Sequence, residues 1–528
     1  MDTWQGPAVY FHNNAVFSPH DFKNLCRIGQ GAKLDCLGKT GKFGLGFNAV
    51  YHFTDLPSFV SGEYLVCFDP HAKFLPGATL QHPGLRIKFT RSNILSQFPD
   101  QFKPYLLLGC DLESEYKGTL FRFPLRNAES AKASEIKTAA YGIDDVYELL
   151  TNFRRLGPDA LLFLKHIRTI KIYELESDDA EMKLLYHMSA RTESPEDMSR
   201  FLTLPTFVEG TVSAPVSKDA FFQTLRKCKP EQLPSTDMTV DIVKCEGDQV
   251  LTERWAILSA LGGGEAKLMA IDPSTAHLRL VPWAGVAALL QRDSAPAQAV
   301  KGRAFCFLPL PAETGLPVHV NGYFELSSNR RDIWRGDDMA GEGRTRAEWN
   351  QALLEDVVAP IYARMLLRLS KSVDAKQHEQ LEWYYSIWPA DTVAEPWLSL
   401  SRRVYSETRN LPVLFSHVGA GRWVAPADAI YVSDEWEAAE DIVESLLADN
   451  RPVVSVPDRL RGGFDNVPAA LSHATPEFMR RYFEGNPKFQ AIRSNRQRIV
   501  RLLQYCLSDL ILGCPAGQGR VRALATQY

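Results

Sequence analysis

Hydrophobic positions along this chain recur with two different periods. Short apolar runs bounded by turn-forming residues predict strands at "AVYF" (8–11), "SFVSG" (58–62), "YLVCFD" (64–69), "LRIKF" (85–89) and "GTLFRFPL" (118–125). "DALLFLKHI" (159–167) and "IKIYELE" (170–176) extend the same sheet, and residues 130–156 read as helix. "SPHDF" (18–22) predicts a helix start, because Ser18 can cap, Pro19 suits the first helical position and Asp21 stands where a capping-box acid belongs. Residues 1–180 therefore predict one domain of helices layered on a sheet. After the polar hinge "TESPEDMS" (192–199), residues 181–340 predict a mixed α/β middle domain with strands such as "MTVDIVKC" (238–245) and "AFCFLPL" (304–310). It ends in the loop "TGLPVHVNGYFELSSNRRDIW" (314–334). From 346 the period becomes helical, with Trp349, Leu353, Val357, Ile361 and Met365 four residues apart. Residues 341–528 thus predict a mainly helical region with short strands such as "AIYVS" (429–433). The fold class is α/β in the broad sense (α+β).

Composition narrows the function classes. The chain has 528 residues, 45% hydrophobic and 23% charged, which is ordinary for a soluble protein of several domains. A net charge of −4 provides no field for nucleic acid, and no apolar run is long enough to span a membrane. The first residues lack a basic segment followed by an apolar core, so no secretory signal is expected. Nine cysteines without a C-x-x-C pair fit reduced thiols in the cytoplasm. Histidines 52, 71 and 319 have no partners at metal-ligand spacing and read as structural; no metal site is expected.

The candidate chemistry lies in "GKTGKFGLGFNAVYH" (38–52). Neither a P-loop, G-x-x-x-x-G-K-[ST], nor a dinucleotide fingerprint, G-x-G-x-x-G, is present; the order here is G-x-x-G-x-G at Gly41, Gly44 and Gly46. A run that reads as a helix follows, so free amides and the helix dipole would favour a phosphate. The competing reading is a tight turn before a buried helix.

"GKFGLGF" resembles the third nucleotide motif of the ATPase superfamily that includes gyrase, the ninety-kilodalton heat-shock chaperones, histidine kinases and MutL. The run 28–62, with "YFHNNAVFSPHDF" (10–22), "CFDPH" (67–71), "GTLFRFPLR" (118–126) and "FCFLPLP…TGLPVHVNGYFELSSNRRDIW" (305–334), is similar more specifically to the sacsin repeat family. The resemblance covers at least residues 6–435. It implies a two-layer Bergerat-type sandwich over 1–180, a middle domain and a helical follow-on, in a chain cut at both ends. It further implies that ATP is held by Gly41, Gly44 and Gly46 with the amides of Phe43, Leu45 and Phe47. Lys39 and Lys42 would add charge, Thr119 would sit beneath the adenine, and Asn14 or Asn13 would meet the base. Arg330 or Arg331 would reach the γ-phosphate from the middle domain. Client proteins and seventy-kilodalton heat-shock chaperones are the implied partners, in the cytoplasm.

The departures from the superfamily pattern are equally specific. The helix with a catalytic Glu and a magnesium-holding Asn would precede residue 8, and Met1 arrives first. Glu148…Asn152 stands in the wrong chain order and reads as chance decoration. The adenine-reading Asp is replaced by "HNNAV" (12–16). The implied cofactors are ATP and magnesium, but turnover is not expected. Two readings stay open: a chaperone-type module with an ancestral ATP site, or a non-catalytic interaction module that keeps the fold.

Overall fold

The computed structural model describes residues 5–25, 46–164, 166–177, 181–192, 218–293, 295–296, 298–327, 329–336, 342–433, 435–468, 471–484 and 495–512. The chain divides into two compact units. The first comprises residues 1–158, 170–187 and 210–220, and the second the remainder.

The first unit is built on an antiparallel sheet ordered β1-β5-β2-β3-β4. Its strands are β1 (Ala8–Asn13), β2 (Ser58–Gly62), β3 (Tyr64–Phe68), β4 (Gly84–Lys88) and β5 (Tyr116–Pro124). Period-two alternation sorts the side chains between two faces. Val60, Leu65, Tyr116 and Leu120 pack on one face with Phe89, Phe102, Tyr105, Cys110 and Leu112 from the segment between β4 and β5. The other face carries phenylalanines. The helix Pro19–Leu25 begins as expected, with the Ser18 amide donating to Asp21 Oδ2 (3.0 Å) and the Asp21 amide to Ser18 Oγ (3.3 Å).

β6 (Thr169–Glu174) and β7 (Lys183–Thr192) follow in the chain, and the second unit then builds a larger sheet. β8 (Ser235–Glu246), β9 (Gln249–Leu261) and β10 (Trp283–Arg292) pair antiparallel, with short β11 (Ala295–Pro296) beside β10. β12 (Arg303–Cys306), β13 (Leu308–Glu313) and β14 (His319–Gly322) complete it, in the order β13-β12-β14-β10-β9-β8. A long helical segment packs on it: Gly343–Leu353, a π-helical turn Leu354–Val358 and Ala359–Ser370. The five residues that set its period are all buried, none more than 2% exposed. At Gly262 a Cβ would lie 2.3 Å from Val357 Cγ2, so only glycine lets strand and helix approach this closely.

Two expectations are corrected. Neither "DALLFLKHI" nor "IKIYELE" extends the first sheet: β6 lies outside its five strands, and "DALLFLKHI" is no strand, since helix Ile143–Ala160 runs into it and Leu161, Leu162 and Phe163 are buried in the turn that follows. A short apolar run has the same pattern in a buried helix end as in a buried strand. The region after 341 also carries more sheet than expected. β15 (Leu414–Ser416), β16 (Arg422–Val424), β17 (Ile430–Tyr431), β18 (Val453–Val454) and β19 (Ser472–His473) form a sheet ordered β16-β15-β18-β17-β19, with β17 parallel to β18 and β19. Strands of two or three residues are too short to show a period. No helix among the described residues is long and apolar enough to cross a membrane.

Candidate functional site

On the phenylalanine face of the first unit's sheet, Phe59 of β2 is the hub. It lies 5.0 Å from Phe17, 5.9 Å from Phe22, 5.3 Å from Phe121 and 6.4 Å from Phe68, between ring centroids. Phe47, the residue that follows Gly46, joins this layer at 5.4 Å from Phe68 and 6.3 Å from Phe121. Phe59 is buried, whereas Phe17, Phe22, Phe47, Phe68 and Phe121 are half-buried. Gly46 caps the 3-10 helical segment Phe47–His52, which is only six residues long. Lys39, Gly41, Lys42, Phe43, Gly44 and Leu45 lie outside the described residues.

The far end of that segment is held by a buried ion pair. Arg126, two residues beyond β5, is fully buried and donates through Nη2 to Tyr51 O (2.8 Å), Nη1 to His52 O (3.1 Å) and Nε to Asp55 Oδ1 (2.9 Å). Nη2 also meets Asp55 Oδ1, and the Arg126 amide donates to Phe53 O (2.8 Å). His71 Nε2 lies 3.5 Å from the other Asp55 oxygen. Nearby in the chain, buried Asp69 accepts the amides of Phe74 (2.6 Å) and Leu75 (2.9 Å) through Oδ2. Burial, then the Asp55 carboxylate, pushes the Tyr51 phenol up to about 12. "HFTD", "CFDPH" and "FPLR", which are separate in the sequence, thus meet at one point. Sequence reading assigned no role to Asp55 or Arg126. A charged residue beside a strand carries no local signal of burial.

Thr119 lies on the phenylalanine face of β5 and is completely buried. Its hydroxyl donates to Ala15 O (2.7 Å) and pairs with Ser61 Oγ (2.8 Å). Ser61 in turn accepts the Phe17 amide (2.9 Å). Thr119 therefore ties the loop after β1 to the sheet. In that loop Asn13 Oδ1 accepts the Ala15 amide (3.0 Å), and Asn14 is exposed. Glu148 and Asn152 are exposed on helix Ile143–Ala160. Among the described residues no group of His, Cys, Asp or Glu is arranged to hold a metal ion.

In the second unit, "SSNRRD" forms a closed loop. Leu326 and Ile333 bridge at its base, and the Trp334 amide donates to Glu325 O (2.7 Å). Buried Asn350 fastens that base: Oδ1 accepts the Glu325 amide (2.9 Å), and Nδ2 donates to Glu325 O (2.8 Å) and Trp334 O (2.9 Å). Within the loop, Asn329 Oδ1 accepts from the Arg331 amide (3.0 Å) and Ser327 Oγ (2.8 Å), and Arg330 has a left-handed φ of 57°. Arg330 is half-buried and Arg331 exposed. His319 is buried, its ring stacked 5.1 Å from Trp255, with Nδ1 accepting the Arg303 amide (3.1 Å).

Comparison with known proteins agrees with these motifs. Residues 1–187 match the Sacsin domain family. Sacsin from Homo sapiens is 36% identical over 378 residues, which cover 70% of this chain and 8% of the human protein. The chain therefore spans a small part of the length of that relative. This chain is sacsin-like and carries a Sacsin domain over residues 1–187.

Proposed function

We propose that this chain is a chaperone-type module with an ancestral ATP site on its first unit. The observation that carries this reading is the clamp on the segment behind the glycine run. Burying a guanidinium costs several kcal/mol unless its charge and hydrogen bonds are met, and here Arg126 spends them on fixing Tyr51, His52 and Asp55. A loop that merely turned a corner would have no need of that precision, whereas a phosphate cradle requires its supporting segment to be still.

By resemblance, Gly41, Gly44 and Gly46 with the amides of Phe43, Leu45 and Phe47 would hold the phosphates, helped by Lys39 and Lys42. The described residues fit a nucleotide in part, since half-buried rings, tilted against one another, give an apolar surface beside Gly46. ATP with magnesium would supply a compact anion whose binding favours one arrangement of the loop over another. Of the two candidate arginines, Arg331 is exposed and Arg330 half-buried, so Arg331 is the one to test. Client proteins and seventy-kilodalton heat-shock chaperones, in the cytoplasm, are the corresponding partners.

Calorimetric titration with magnesium and ATP or ADP tests this, and binding heat is expected. Arg331→Ala should weaken ATP by about fivefold, or ~1 kcal/mol, and leave ADP unchanged. No heat at millimolar ATP would favour the second reading, a non-catalytic interaction module. The committed hydroxyl of Thr119 is the observation on that side.

A further inference from the structure

We infer that Asp159 and His319 make a proton-operated latch in the second unit: a protonated Asp159 carboxyl keeps the segment 159–164 seated on the larger sheet, and loss of that proton loosens the seat. This is independent of the nucleotide reading. Asp159 is the first residue of the second unit and stands in the last turn of helix Ile143–Ala160.

Most of the seat is apolar. Leu161, Leu162 and Phe163 are buried. The Phe163 ring meets Phe305 of β12 edge-on, 4.9 Å between centroids, and comes within 3.7 Å of where a Cβ on Gly285 of β10 would stand. The polar part is Asp159, whose Oδ2 lies 3.8 Å from Nε2 of His319 on β14. Nδ1 of that ring accepts the Arg303 amide (3.1 Å), so the ring's one proton is on Nε2 and faces the carboxyl. Stacking on Trp255 of β9 (5.1 Å) holds the ring in place. At 3.8 Å the two groups approach without forming a hydrogen bond.

The charges around Asp159 do not give it a counterion of its own. Lys244 of β8 and Arg292 of β10 act on it, but both pair with the buried carboxylate of Glu253 on β9 (2.8 and 2.9 Å), which repels a second negative charge. Arg303 of β12 lies 3.6 Å from Glu313. Burial, the largest influence, raises the Asp159 carboxyl to about 6, while burial and then Arg303 bring His319 down to about 3. Of the two, therefore, only Asp159 changes charge between pH 5 and 7.5. Its side chain is 23% exposed, so the proton passes directly to water. Once ionised, the carboxylate is better hydrated with the segment lifted than with it seated. The seat is thus firm in acid and loosens as pH rises toward about 6.

Native-state hydrogen exchange followed by mass spectrometry tests this on the full chain at pH 5 and pH 7.5, with rates corrected for the intrinsic effect of pH. Protection over residues 159–164 should be about tenfold lower at pH 7.5, and low urea should leave it unchanged, because a local opening exposes little surface. Asp159→Asn should show no such difference between the two pH values. Equal protection at both values in the parent overturns the inference, as does a difference that persists in Asp159→Asn. An opening of 159–164 that depends on urea as steeply as that of β9 overturns it too, since only unfolding of the whole unit then exposes the segment. Should Asp159→Asn not fold, the pH and urea dependence of the parent still decide.

Discussion

Arg126 is the residue whose loss should cost the first unit most. Removing one partner of a buried ion pair leaves the other charged and unpaired, which costs about 3–5 kcal/mol. Arg126→Ala should lower the unit's stability by that amount, and Arg126→Lys should recover little, since an ammonium cannot reach Tyr51 O, His52 O and Asp55 together. Denaturant unfolding followed by circular dichroism measures both; an Arg126→Lys variant as stable as the parent would show that charge alone matters. Asp159 makes a prediction in pH. Burial raises its carboxyl to about 6, so the fold favours the neutral form. Its stabilising contribution is fully present below about pH 4, the unfolded value, and is lost as pH rises through about 6. Asp159→Asn should therefore gain about 3 kcal/mol on the parent at pH 7.5, with the gain disappearing near pH 4. A difference that does not change with pH would contradict this. Asp159 was legible in the sequence only as a polar residue before an apolar run. Its shift comes first from burial; Glu253, remote in the chain, adds to it and Lys244 opposes it.

Among elements, those with long periods were legible and the short ones were not. The strands of the first sheet fall where alternation placed them, and the helical face from Trp349 to Met365 is buried as its spacing predicts. "DALLFLKHI" and the two-residue strands β18 and β19 had no period to show, whereas β17 falls inside the expected strand "AIYVS". The loop "SSNRRD" is a similar case, because its residue types suit a solvated turn and its order comes from Asn350, outside it. Asn350→Ala would leave the Glu325 amide and the carbonyls of Glu325 and Trp334 without partners. A loss of about 2–4 kcal/mol is expected, with faster proteolytic cleavage between 326 and 333. Cleavage at the parent rate would mean that the β-bridge holds the loop by itself.

Across the whole chain, the two units carry different reporters. Of the ten tryptophans, all but Trp4 belong to the second unit. Arg126→Ala should therefore shift part of the far-ultraviolet dichroism transition to lower denaturant while the tryptophan fluorescence midpoint moves little. Equal shifts in both signals would show that the units unfold as one cooperative body.

The sequence by itself determined where most elements begin and, through long motifs in order, that the chain is sacsin-like. Those properties are local, because periodicity and capping act within a few residues. Only the tertiary structure decided what the motifs do for one another. It brought "HFTD", "CFDPH" and "FPLR" to one buried ion pair, committed the Thr119 hydroxyl to Ala15, and left a floor of rings beside Gly46. Burial and partner geometry belong to pairs of residues far apart in the chain, and no window along a single sequence contains both members.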